Sequence, residues 1–359
     1  MASETEQRVV GLGMSGGTDS SLAAYLLTES GWLVKGFTLR LATVDSPKAS
    51  EQHVLDAQRV AEKLGLEHHV VDMRELFEQE IVAPFAEEYA SSRTPSPCVR
   101  CNRRIKFGAL WELVAKHGCS RLATGHYARL CTDDTGRRRL LRGCDGTKDQ
   151  SYFLAALTQE QLQAALFPLG ELEKSEVRVV AKRLGLVPHG IKESQDLCFV
   201  PDGDFAAHVA ARRPDLLRAG DIVDLAGKVL GQHEGAFRYT TGQRKGLGLS
   251  GGPWYVVKVD VLANTVVVGC REDIRTSRVS IREVNWQRAE PSVGESVDVV
   301  VQLRYSTTPV AARLQVLPEQ RAMLELATPF HAATPGQFAV FYDADWVLGG
   351  GWIEESAGL

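Results

Sequence analysis

Apolar and polar positions alternate along the first half of the chain in a pattern that predicts strands and helices in turn. Arg8–Gly13 is a short apolar run typical of a buried strand, and Ser20–Glu29 places Leu22, Ala23 and Leu26 on one face of a helix. The same patterns predict strands at Trp32–Leu41, His69–Asp72 and Arg121–Thr124, and helices at Glu51–Leu64, Arg74–Tyr89, Gln159–Leu166 and Lys174–Leu184. Strands interleaved with such helices predict an α/β fold with a doubly wound parallel sheet.

The pattern changes after about residue 205, where helical periodicity fades and short β-rich runs follow one another. These runs are Trp254–Val259, Thr265–Val268, Val297–Leu303, Val310–Val316, Ala322–Leu326 and Gln337–Tyr342. Gly, Pro, Asn and Asp residues separate many of them, as expected for turns between strands. The second part of the chain is therefore predicted to form antiparallel sheets or a small β-barrel.

Length and composition fit a globular chain of more than one domain. The 359 residues exceed a usual domain length of roughly 150 residues, and the hydrophobic content of 44% is enough for a sizeable core. No apolar run approaches the roughly 18 residues of a membrane-spanning helix, and the polar start MASETEQRVV lacks the apolar segment of a signal peptide. The sequence therefore predicts a cytoplasmic protein without a membrane partner.

The small net charge conceals two segments of opposite charge. The chain has 41 basic and 45 acidic residues, and its net charge of −4 by itself argues against a nucleic-acid partner. Residues 1–92, however, contain 7 Lys or Arg and 15 Asp or Glu, whereas residues 93–148 contain 13 basic and 4 acidic residues. This basic segment, residues 93–148, forms either solvent-exposed faces of helices and hairpins or a local binding site for a polyanion. Charge alone favours the solvent-exposed faces.

A glycine-rich loop, GMSGGTDSS from Gly13 to Ser21, lies between the first predicted strand and the first predicted helix. Gly16 and Gly17 allow a sharp turn in which backbone N–H groups approach a ligand, and the start of the following helix attracts anions. Hydroxyl donors are added by Ser15, Thr18, Ser20 and Ser21. Asp19 is expected to hold Mg²⁺ or to cap the helix, because a carboxylate repels bare phosphate. The loop lacks the Gly-Lys-Ser/Thr end of a Walker A motif, so it indicates a phosphate-binding loop of another kind.

Seven cysteines, an odd number in a chain without an export signal, argue against a disulfide scaffold. Cys98 and Cys101 form a C-x-x-C pair followed by Arg103 and Arg104, whose positive charge is expected to lower the thiol pKa values. Cys198 is a further candidate for sulfur chemistry. The remaining cysteines, Cys119, Cys131, Cys144 and Cys270, are expected to be small buried or incidental residues. The C-x-x-C pair also fits half of a zinc site, although a second pair is missing.

A series of longer motifs points to one family. In chain order these are SGGTDSS, TPSPCVRCNRRIKFGAL, ATGHYARL, LLRGCDGTKDQSYFL, FPLGELEKSEVR, SQDLCFV, TTGQRKGLGL, PWYVVKVD, RYS, TPGQFAVFY and LGGGWI. They resemble the signatures of the bacterial tRNA-specific 2-thiouridylases, the MnmA family, and extend from Gly13 to Ile353. SGGTDSS resembles the PP-loop of ATP pyrophosphatases. The resemblance implies ATP-dependent replacement of O2 by sulfur on the wobble uridine (U34) of tRNA, with adenylation of O2 before sulfur displaces AMP.

The resemblance also implies domain roles, cofactors and partners. A PP-loop catalytic domain is expected at residues 1–205, a central β-rich tRNA-binding domain at residues 206–272, and a C-terminal β-barrel domain at residues 273–359. ATP with Mg²⁺ is the expected nucleotide, and the anticodon loop of tRNA is the expected substrate. Sulfur is expected to come from a donor such as a cysteine desulfurase or a sulfur carrier.

Individual site residues follow from the same resemblance, position by position. The expected ATP-binding residues are Gly13, Met14, Ser15, Gly16, Gly17, Thr18, Asp19, Ser20, Leu39 and Gly125. The residues expected to face tRNA are Ser96, Pro97, His126, Lys148, Asp149, Gln150, Arg304, Tyr305 and Gln337, with Ser96 and Pro97 next to the target base. Cys101 takes the position of the nucleophile, and Cys198 that of the cysteine that carries a persulfide.

One position departs from the family pattern, which has an aspartate three residues before the nucleophilic cysteine. Here that residue is Cys98, and a thiol cannot take over carboxylate chemistry. Cys98, Cys101 and Cys198 instead provide three sulfur ligands, which suits a [4Fe–4S] cluster with one open iron. Two sulfur routes are therefore considered. In the first, these three cysteines hold a cluster; in the second, Cys198 accepts sulfur as a persulfide, Cys101 attacks, and Cys98 is incidental.

Two other functions were weighed against thiolation. One is a PP-loop amidating ligase or pyrophosphatase that acts on a small molecule, and the other is a zinc-bearing RNA-binding protein without ATP turnover. The three cysteines and the β-rich last third weigh against the ligase, and the missing second cysteine pair weighs against the zinc protein.

Overall fold

The computed structural model describes residues 8–41, 47–187, 197–200 and 203–358. The Ser-Gln-Asp part of the SQDLCFV motif lies outside these described residues. The chain divides into two compact units. The first takes in the described residues within Met1–Glu80, Cys98–Pro201 and Asp345–Val347, and the second those within Ile81–Pro97, Asp202–Ala344 and Leu348–Leu359.

The described part of the first unit has a parallel sheet and a separate hairpin. Its strands are β1 (Val9–Gly13), β2 (Leu33–Arg40), β3 (Glu67–Asp72), β4 (Arg121–Ala123), β5 (Ala128–Thr132), β6 (Arg138–Arg142) and β7 (Ala165–Leu166). The sheet has the order β3-β2-β1-β4-β7 and all its pairings are parallel. β5 and β6 pair antiparallel. Because the chain crosses from one side of β1 to the other between β3 and β4, the sheet is doubly wound.

Helices connect the strands and continue into the second unit. They are α1 (Thr18–Glu29), α2 (Pro47–Leu64), α3 (Arg74–Phe77), α4 (Ala83–Ala90), α5 (Pro97–Cys101), α6 (Trp111–Lys116), α7 (Ser151–Leu154), α8 (Gln159–Ala164), α9 (Lys174–Arg183) and α10 (Phe205–Arg212). π-Helical segments at Glu78–Val82 and Asn102–Leu110 follow α3 and α5. Within the described ranges, no helix is both long enough and apolar enough to cross a bilayer.

The strands and helices of the first unit have apolar faces that pack together in its core. β1 is apolar along its length, with Val10 and Leu12 fully buried, as expected for a central strand covered on both faces. α1 buries Leu22 and Ala23, and α9 buries Val177, in the same apolar cluster. Helices therefore cover the sheet through their apolar faces, and the predicted α/β class is confirmed.

Several predicted elements of the first unit differ from the structure. Ala165 and Leu166, predicted as the end of a helix, form β7 because they pair with β4 at the sheet edge. The predicted helix Arg74–Tyr89 contains the π-helical segment Glu78–Val82. The helical stretch from Pro97 to Lys116 and the β5–β6 hairpin were not predicted, since basic residues there obscure the apolar periodicity.

The second unit contains a four-stranded sheet and a closed barrel. Its strands are β8 (Gly220–Val223), β9 (Val229–His233), β10 (Tyr255–Asp260), β11 (Thr265–Gly269), β12 (Arg275–Trp286), β13 (Ser296–Gln302), β14 (Val310–Leu317), β15 (Arg321–His331), β16 (Phe338–Asp343) and most of β17 (Trp346–Gly358). The sheet has the order β10-β11-β8-β9. In the order β12-β15-β14-β13-β16-β17, the other strands close a barrel because β12 pairs with both β15 and β17.

The predicted β-rich character and barrel are confirmed, with two corrections. β8 and β11 pair in parallel, so the smaller sheet is mixed rather than antiparallel. Helical structure does not end at about residue 205, because α10 begins there. The side chain of Asp204 caps the start of α10 by accepting a hydrogen bond from the backbone N–H of Ala207 at 2.9 Å, a local helix-start signal that the sequence prediction overlooked.

Candidate active site

Two loops meet where the order of the parallel sheet reverses. β1 pairs with β2 along one edge and with β4 along the other. The chain leaves β1 through the glycine-rich loop and leaves β4 through Thr124, Gly125 and His126. Ligands of doubly wound sheets bind in the crevice at the carboxyl ends of strands at such a point. The sheet therefore brings the glycine-rich loop and the ATGHY motif to one place.

The conformation of the glycine-rich loop requires glycine and uses its own hydroxyl groups. Gly16 has a φ of +72°, and a Cβ there would lie 2.6 Å from the backbone O of His53. The hydroxyl of Ser20 donates to the carbonyl O of Gly17 at 3.1 Å, and the backbone N–H of Ser15 donates to the Ser20 Oγ at 3.2 Å. These bonds fix the loop, while the first amides of α1 have no acceptor within the helix and can bind an anion.

The other residues expected to bind ATP surround this loop. The backbone N–H of the buried Met14 donates to the carbonyl O of Phe37 at 2.8 Å, and Leu39 is half-buried near the carboxyl end of β2. Gly125 lies against α1 so closely that a Cβ would stand 3.0 Å from the backbone N of Ser20. The half-buried residues at the end of β1 and the start of α1 are Gly13, Gly17, Thr18 and Asp19.

Asp19 forms an ion pair at the mouth of the loop. Its carboxylate oxygens accept hydrogen bonds from Lys174 Nζ at 2.6 and 2.7 Å, and Oδ1 accepts one from the hydroxyl of Tyr127 at 2.9 Å. The Lys174 side chain is only 7% exposed and lies 5.5 Å from the centre of the Tyr127 ring. The expectation that Asp19 caps α1 is wrong, because the N-cap is Gly17 and no side chain caps this helix.

Neither Lys174 nor Tyr127 was among the predicted site residues. Both lie inside motifs that carry the family resemblance, FPLGELEKSEVR and ATGHYARL. Lys174 and Asp19 are 155 positions apart, and a contact over such a separation leaves no local pattern in one sequence. The structure reveals the pair through the burial of Lys174 at the start of α9, because lysine is almost never fully buried unless it is paired, and a single sequence does not show that burial.

His126 is enclosed by protein rather than presented at the surface. Its Nδ1 lies 2.7 Å from Thr124 Oγ1, and the rings of Phe107 and Phe167 lie 6.4 and 6.1 Å from its own. Burial, and then the positive charge of Lys106, hold the pKa of His126 well below its usual range. The imidazole is therefore neutral near pH 7.

The three candidate cysteines belong to one neighbourhood of the first unit. Cys98 and Cys101 lie on α5, which Pro97 begins, and Cys198 lies in the short described stretch 197–200. Cys98 raises the pKa of both Cys101 and Cys198 electrostatically, and Cys198 raises that of Cys101. Cys98 and Cys198 retain exposed surface although protein atoms crowd their sulfurs, whereas Cys101 is buried. Cys98 and Cys198 are therefore the more accessible residues of the three, and Cys101 is the most enclosed.

The expectation that flanking charge lowers the thiol pKa values is wrong. Desolvation by burial raises the pKa of Cys101 to about 12 and that of Cys198 to about 11, and it raises the pKa of Cys98 as well. Positive charge does act in the expected direction, but it comes from Lys106 and is outweighed. Arg104 points elsewhere, with its Nε 3.9 Å from a carboxylate oxygen of Glu80. All three groups are thiols near pH 7 in this state of the protein.

The charge of Lys106 acts on the thiols from a helical segment that is not an α-helix. In an α-helix, a residue five positions after Cys101 would lie about 140° away around the axis. Lys106 lies in the π-helical segment Asn102–Leu110, whose i to i+5 hydrogen bonds return such a residue towards the same face. Its charge acts on all three cysteines and on His126. In the sequence, Lys106 is recognisable only as one residue of the basic segment, and no local pattern predicts the π-helix.

The segment before the cysteines is attached to the barrel within the second unit. Gln337 Nε2 donates to the carbonyl oxygens of Thr94 and Pro95, both at 3.0 Å. The backbone N–H of Thr94 donates to the carbonyl O of Pro335 at 2.8 Å. Ser96, expected to lie next to the target base, is buried. Gln337 thus positions the residues that lead to Ser96, a role that the sequence did not indicate.

Two further residues expected to face tRNA lie in the loop after β13. The Nη2 of Arg304 donates to Thr334 Oγ1 at 2.9 Å, and the Thr334 hydroxyl donates to the carbonyl O of Ala332 at 3.0 Å. Tyr305 is 38% exposed. Arg304 is therefore tied to the barrel through Thr334, while Tyr305 presents an aromatic surface on which a base can stack.

Of the consecutive residues Lys148, Asp149 and Gln150, the last two form hydrogen bonds to other groups of the protein. The buried carboxylate of Asp149 accepts hydrogen bonds from the backbone N–H of Gly143 and from the hydroxyl of Ser151, both at 3.0 Å. Gln150 Oε1 accepts one from the backbone N–H of Tyr127 at 3.0 Å. Lys148 is half-buried. Asp149 and Gln150 therefore stabilise the turn that holds the ATGHY motif.

Part of the basic segment is neutralised within the first unit. Three arginines of the β5–β6 hairpin form ion pairs: Arg129 with Asp345 at 3.0 Å, Arg139 with Asp133 at 2.9 Å and Arg142 with Asp149 at 2.9 Å. These pairs support a structural interpretation of the hairpin charges. Lys106 differs from them, since no carboxylate of the described residues is paired with it.

The described side chains do not form a complete metal site. Among residues 8–41, 47–187, 197–200 and 203–358, no three His, Cys, Asp or Glu side chains have the arrangement needed to hold a metal ion. The three thiols have the chemistry of cluster ligands, but their sulfurs do not converge on one metal position in this structure.

Substitution of Lys174 tests the ion pair at the loop. In Lys174→Met, the Asp19 carboxylate would face the nucleotide phosphates without compensation, so we expect the Kd for ATP with Mg²⁺ to rise by at least about tenfold, about 1.4 kcal/mol. Isothermal titration calorimetry measures this Kd directly. Lys182→Met, an exposed lysine on the same helix, is the matched control and should bind as the wild type does. Equal affinity of Lys174→Met and the wild type would remove Lys174 from the nucleotide site.

Family models match the chain in three consecutive segments. A tRNA methyl transferase HUP domain model matches residues 7–202, a tRNA methyl transferase PRC-barrel domain model matches residues 210–270, and an aminomethyltransferase β-barrel domain model matches residues 276–353. Among solved structures, the U34-tRNA thiolase NcsA from Methanococcus maripaludis with its [4Fe–4S] cluster is 20% identical, with 59% of this chain and 66% of that chain covered at a TM-score of 0.36. That likeness is too low to carry a cluster, or any other property, to this chain.

Curated relatives are similar along almost the whole chain. The tRNA-specific 2-thiouridylase MnmA of Syntrophotalea carbinolica is 45% identical over 95% of this chain and 97% of its own length. The protein of the same name from Heliobacterium modesticaldum is 43% identical over 98% of this chain and 94% of its own length. At this identity and coverage, the chain belongs to the MnmA family of tRNA-specific 2-thiouridylases.

Proposed function

We propose that this protein is an ATP-dependent tRNA sulfurtransferase that replaces O2 of the wobble uridine by sulfur. The observation that carries the proposal is the 45% identity to a tRNA-specific 2-thiouridylase over 95% of the chain. A phosphate-binding loop at the switch point of the sheet and three thiols in the same unit support it, because the reaction needs both a nucleotide site and a sulfur nucleophile. The protein works in the cytoplasm, where its tRNA substrate is found.

The nucleotide half of the reaction is assigned to the glycine-rich loop. The residues from Gly13 to Ser20, with Leu39 and Gly125, hold ATP, and the start of α1 receives the phosphates. Asp19 binds Mg²⁺ once Lys174 moves from the carboxylate to the phosphates. Transfer of AMP to the uracil O2 releases pyrophosphate and turns a poor leaving group into a good one.

The tRNA half of the reaction is assigned to the residues that the family resemblance implies. We assign the target uracil to Ser96, Pro97 and His126, which must become accessible when tRNA binds because Ser96 and His126 are buried in the free protein. We assign the anticodon arm to the segments of Lys148, Asp149, Gln150, Arg304, Tyr305 and Gln337, in which Asp149, Gln150 and Gln337 hold the backbone in place through hydrogen bonds. The domain plan behind this assignment is a catalytic domain at residues 1–205, a central domain at 206–272 and a barrel at 273–359. The wobble base is extruded from the single-stranded anticodon loop, which costs less than opening a duplex.

The sulfur half of the reaction is assigned to Cys98, Cys101 and Cys198. A [4Fe–4S] cluster suits their number and chemistry, and it would offer one open iron for sulfur. Their described placement does not suit a cluster, because the sulfurs do not converge, so no step is derived through it. In the alternative route, Cys198 receives sulfur as a persulfide from a cysteine desulfurase or a persulfide-bearing sulfur carrier. Cys101 attacks the Cys198 sulfur, the bond to the outer sulfur breaks, and a transient Cys101–Cys198 disulfide forms as hydrosulfide is released. The hydrosulfide forms a bond to C2 of the adenylated uracil and AMP leaves with the oxygen; an external thiol then reduces the disulfide.

The function is tested with purified protein, tRNA transcript, ATP, Mg²⁺ and a sulfur donor. We expect mass spectrometry of the digested tRNA to find 2-thiouridine at the wobble position, formed only when ATP is present. The same tRNA with cytidine at that position is the control. A chain that catalyses ATP–pyrophosphate exchange with a small carboxylic acid, and leaves tRNA unmodified, would instead be an amidating ligase.

The sulfur route is tested by anaerobic purification followed by iron and sulfide analysis. A cluster enzyme should contain about four iron atoms per chain and lose both iron and activity in Cys98→Asp. A persulfide enzyme should be active without iron, and Cys98→Asp should keep its activity because Cys98 is then incidental. Cys119→Ser removes a buried thiol outside the site and is the matched control in both cases.

A further inference from the structure

The TTGQRKGLGL motif of the second unit forms a loop that carries two adjacent exposed cations. The chain enters this loop after the short helical turn Ala236–Arg238 and continues into β10, and Arg244 and Lys245 lie exposed between these elements. Residues 235–259 contain four Lys or Arg and no Asp or Glu. The local charge is therefore positive, although the whole chain has a net charge of −4.

Backbone hydrogen bonds and a close contact fix the base of this loop. The N–H of Gly242 donates to the carbonyl O of Val256 at 2.7 Å, and the N–H of Val256 donates to the carbonyl O of Gln243 at 2.9 Å. Gly242 also lies so close to Ala332, the residue after β15, that a Cβ at Gly242 would overlap the Cβ of Ala332. The loop therefore leaves the fold at a fixed point.

The side chain of Gln243 and a turn fix the part of the loop that carries the two cations. Gln243 Oε1 accepts a hydrogen bond from the backbone N–H of Thr240 at 3.1 Å, and Nε2 donates to the carbonyl O of Lys245 at 2.9 Å. Lys245 and Gly246 form a turn in which Gly246 has a φ of +80°, a conformation that favours glycine. Because the backbone that presents Arg244 and Lys245 is already ordered, a ligand bound there loses little affinity to ordering of the loop.

Two adjacent exposed cations on an ordered loop suit the phosphodiester backbone of RNA. Each phosphate that a Lys or Arg neutralises releases counterions, and this release provides the sequence-independent part of nucleic-acid affinity. A chain of negative net charge needs local basic sites of this kind to hold a polyanion. Charges that only keep a surface soluble need no fixed backbone, whereas the side chain of Gln243 holds both ends of the segment that leads to Lys245.

We propose that the loop of residues 240–249 binds the phosphodiester backbone of the tRNA substrate through Arg244 and Lys245, with Gln243 as the positioning residue. The inference rests on the proposed function, because it takes tRNA as the substrate. Contacts to phosphate fix the position of a nucleic acid and carry no sequence information. The loop therefore contributes to the affinity for tRNA, and neither to the choice of the wobble base nor to the chemical steps.

The proposal is tested by filter binding of tRNA to the full-length protein at a series of salt concentrations. In the double variant Arg244→Ala, Lys245→Ala we expect the Kd for tRNA at physiological ionic strength to rise by at least about tenfold, and the slope of log K against log salt to fall in magnitude by about 2. Gln243→Met keeps both charges but frees the loop, and should also weaken binding. The double variant Lys228→Ala, Arg313→Ala removes two exposed cations outside the loop and is the matched control.

Turnover separates a binding role from a catalytic one. In Arg244→Ala, Lys245→Ala we expect KM for tRNA to rise while kcat at saturating tRNA stays within about twofold of the wild type, because a phosphate contact is equally strong before and in the transition state. A tRNA with cytidine at the wobble position should lose the same affinity as the substrate. The exchanged pair Arg244→Lys, Lys245→Arg keeps both charges and should bind as the wild type does. Unchanged ATP affinity shows that each variant is folded.

Three results would overturn the role of the loop. The first is an unchanged Kd and salt slope in Arg244→Ala, Lys245→Ala. The second is an equal effect of the control variant, since binding would then depend on net charge alone. The third is a loss of affinity confined to tRNA with uridine at the wobble position, which indicates a base contact. A wild-type protein that binds tRNA through the loop but makes no 2-thiouridine would refute the proposed function instead, so the two failures are distinguishable.

Discussion

The close approach of Gly125 to the first turn of α1 is the constraint on which the rest of the site depends. A Cβ at this position would stand 3.0 Å from the backbone N of Ser20, so any other residue would push the loop after β4 away from the first turn of α1. The residue that follows, His126, is buried and neutral, and its Nδ1 lies 2.7 Å from Thr124 Oγ1. The absence of a side chain at Gly125 thus lets the ATGHY motif pack against the glycine-rich loop at the switch point of the sheet.

The balance between burial and charge decides how reactive the thiols are. Burial raises the pKa of Cys101 and Cys198 to about 12 and about 11, and the lowering effect of Lys106 is smaller. The resting protein therefore keeps its thiols protonated and poorly nucleophilic. Such a site avoids unwanted alkylation and oxidation, and it needs an incoming sulfur species or a metal to produce an anion.

Much of the fold and the nucleotide loop could be predicted from the sequence, because both rest on local patterns. Periodicity and turn residues were sufficient for the parallel sheet and the barrel, and the glycines at 16 and 17 marked the loop. The contacts that complete the site are not local. Lys174 reaches Asp19 from 155 positions away, and Gln337 bonds to the carbonyl oxygens of Thr94 and Pro95 from more than 240 positions away. The pKa direction of the thiols was wrong because burial cannot be read from flanking charges.

The transfer of the uracil oxygen to AMP tests the account most directly, since it joins the nucleotide loop to the sulfur site in one reaction. A tRNA whose wobble uridine carries ¹⁸O at O2 is incubated with the protein, ATP and the sulfur donor, and the products are analysed by mass spectrometry. We expect the ¹⁸O in the phosphate of AMP and sulfur in the uridine, in equal amounts. AMP without the label, or 2-thiouridine formed while the label appears in water, would contradict activation of O2 by adenylation.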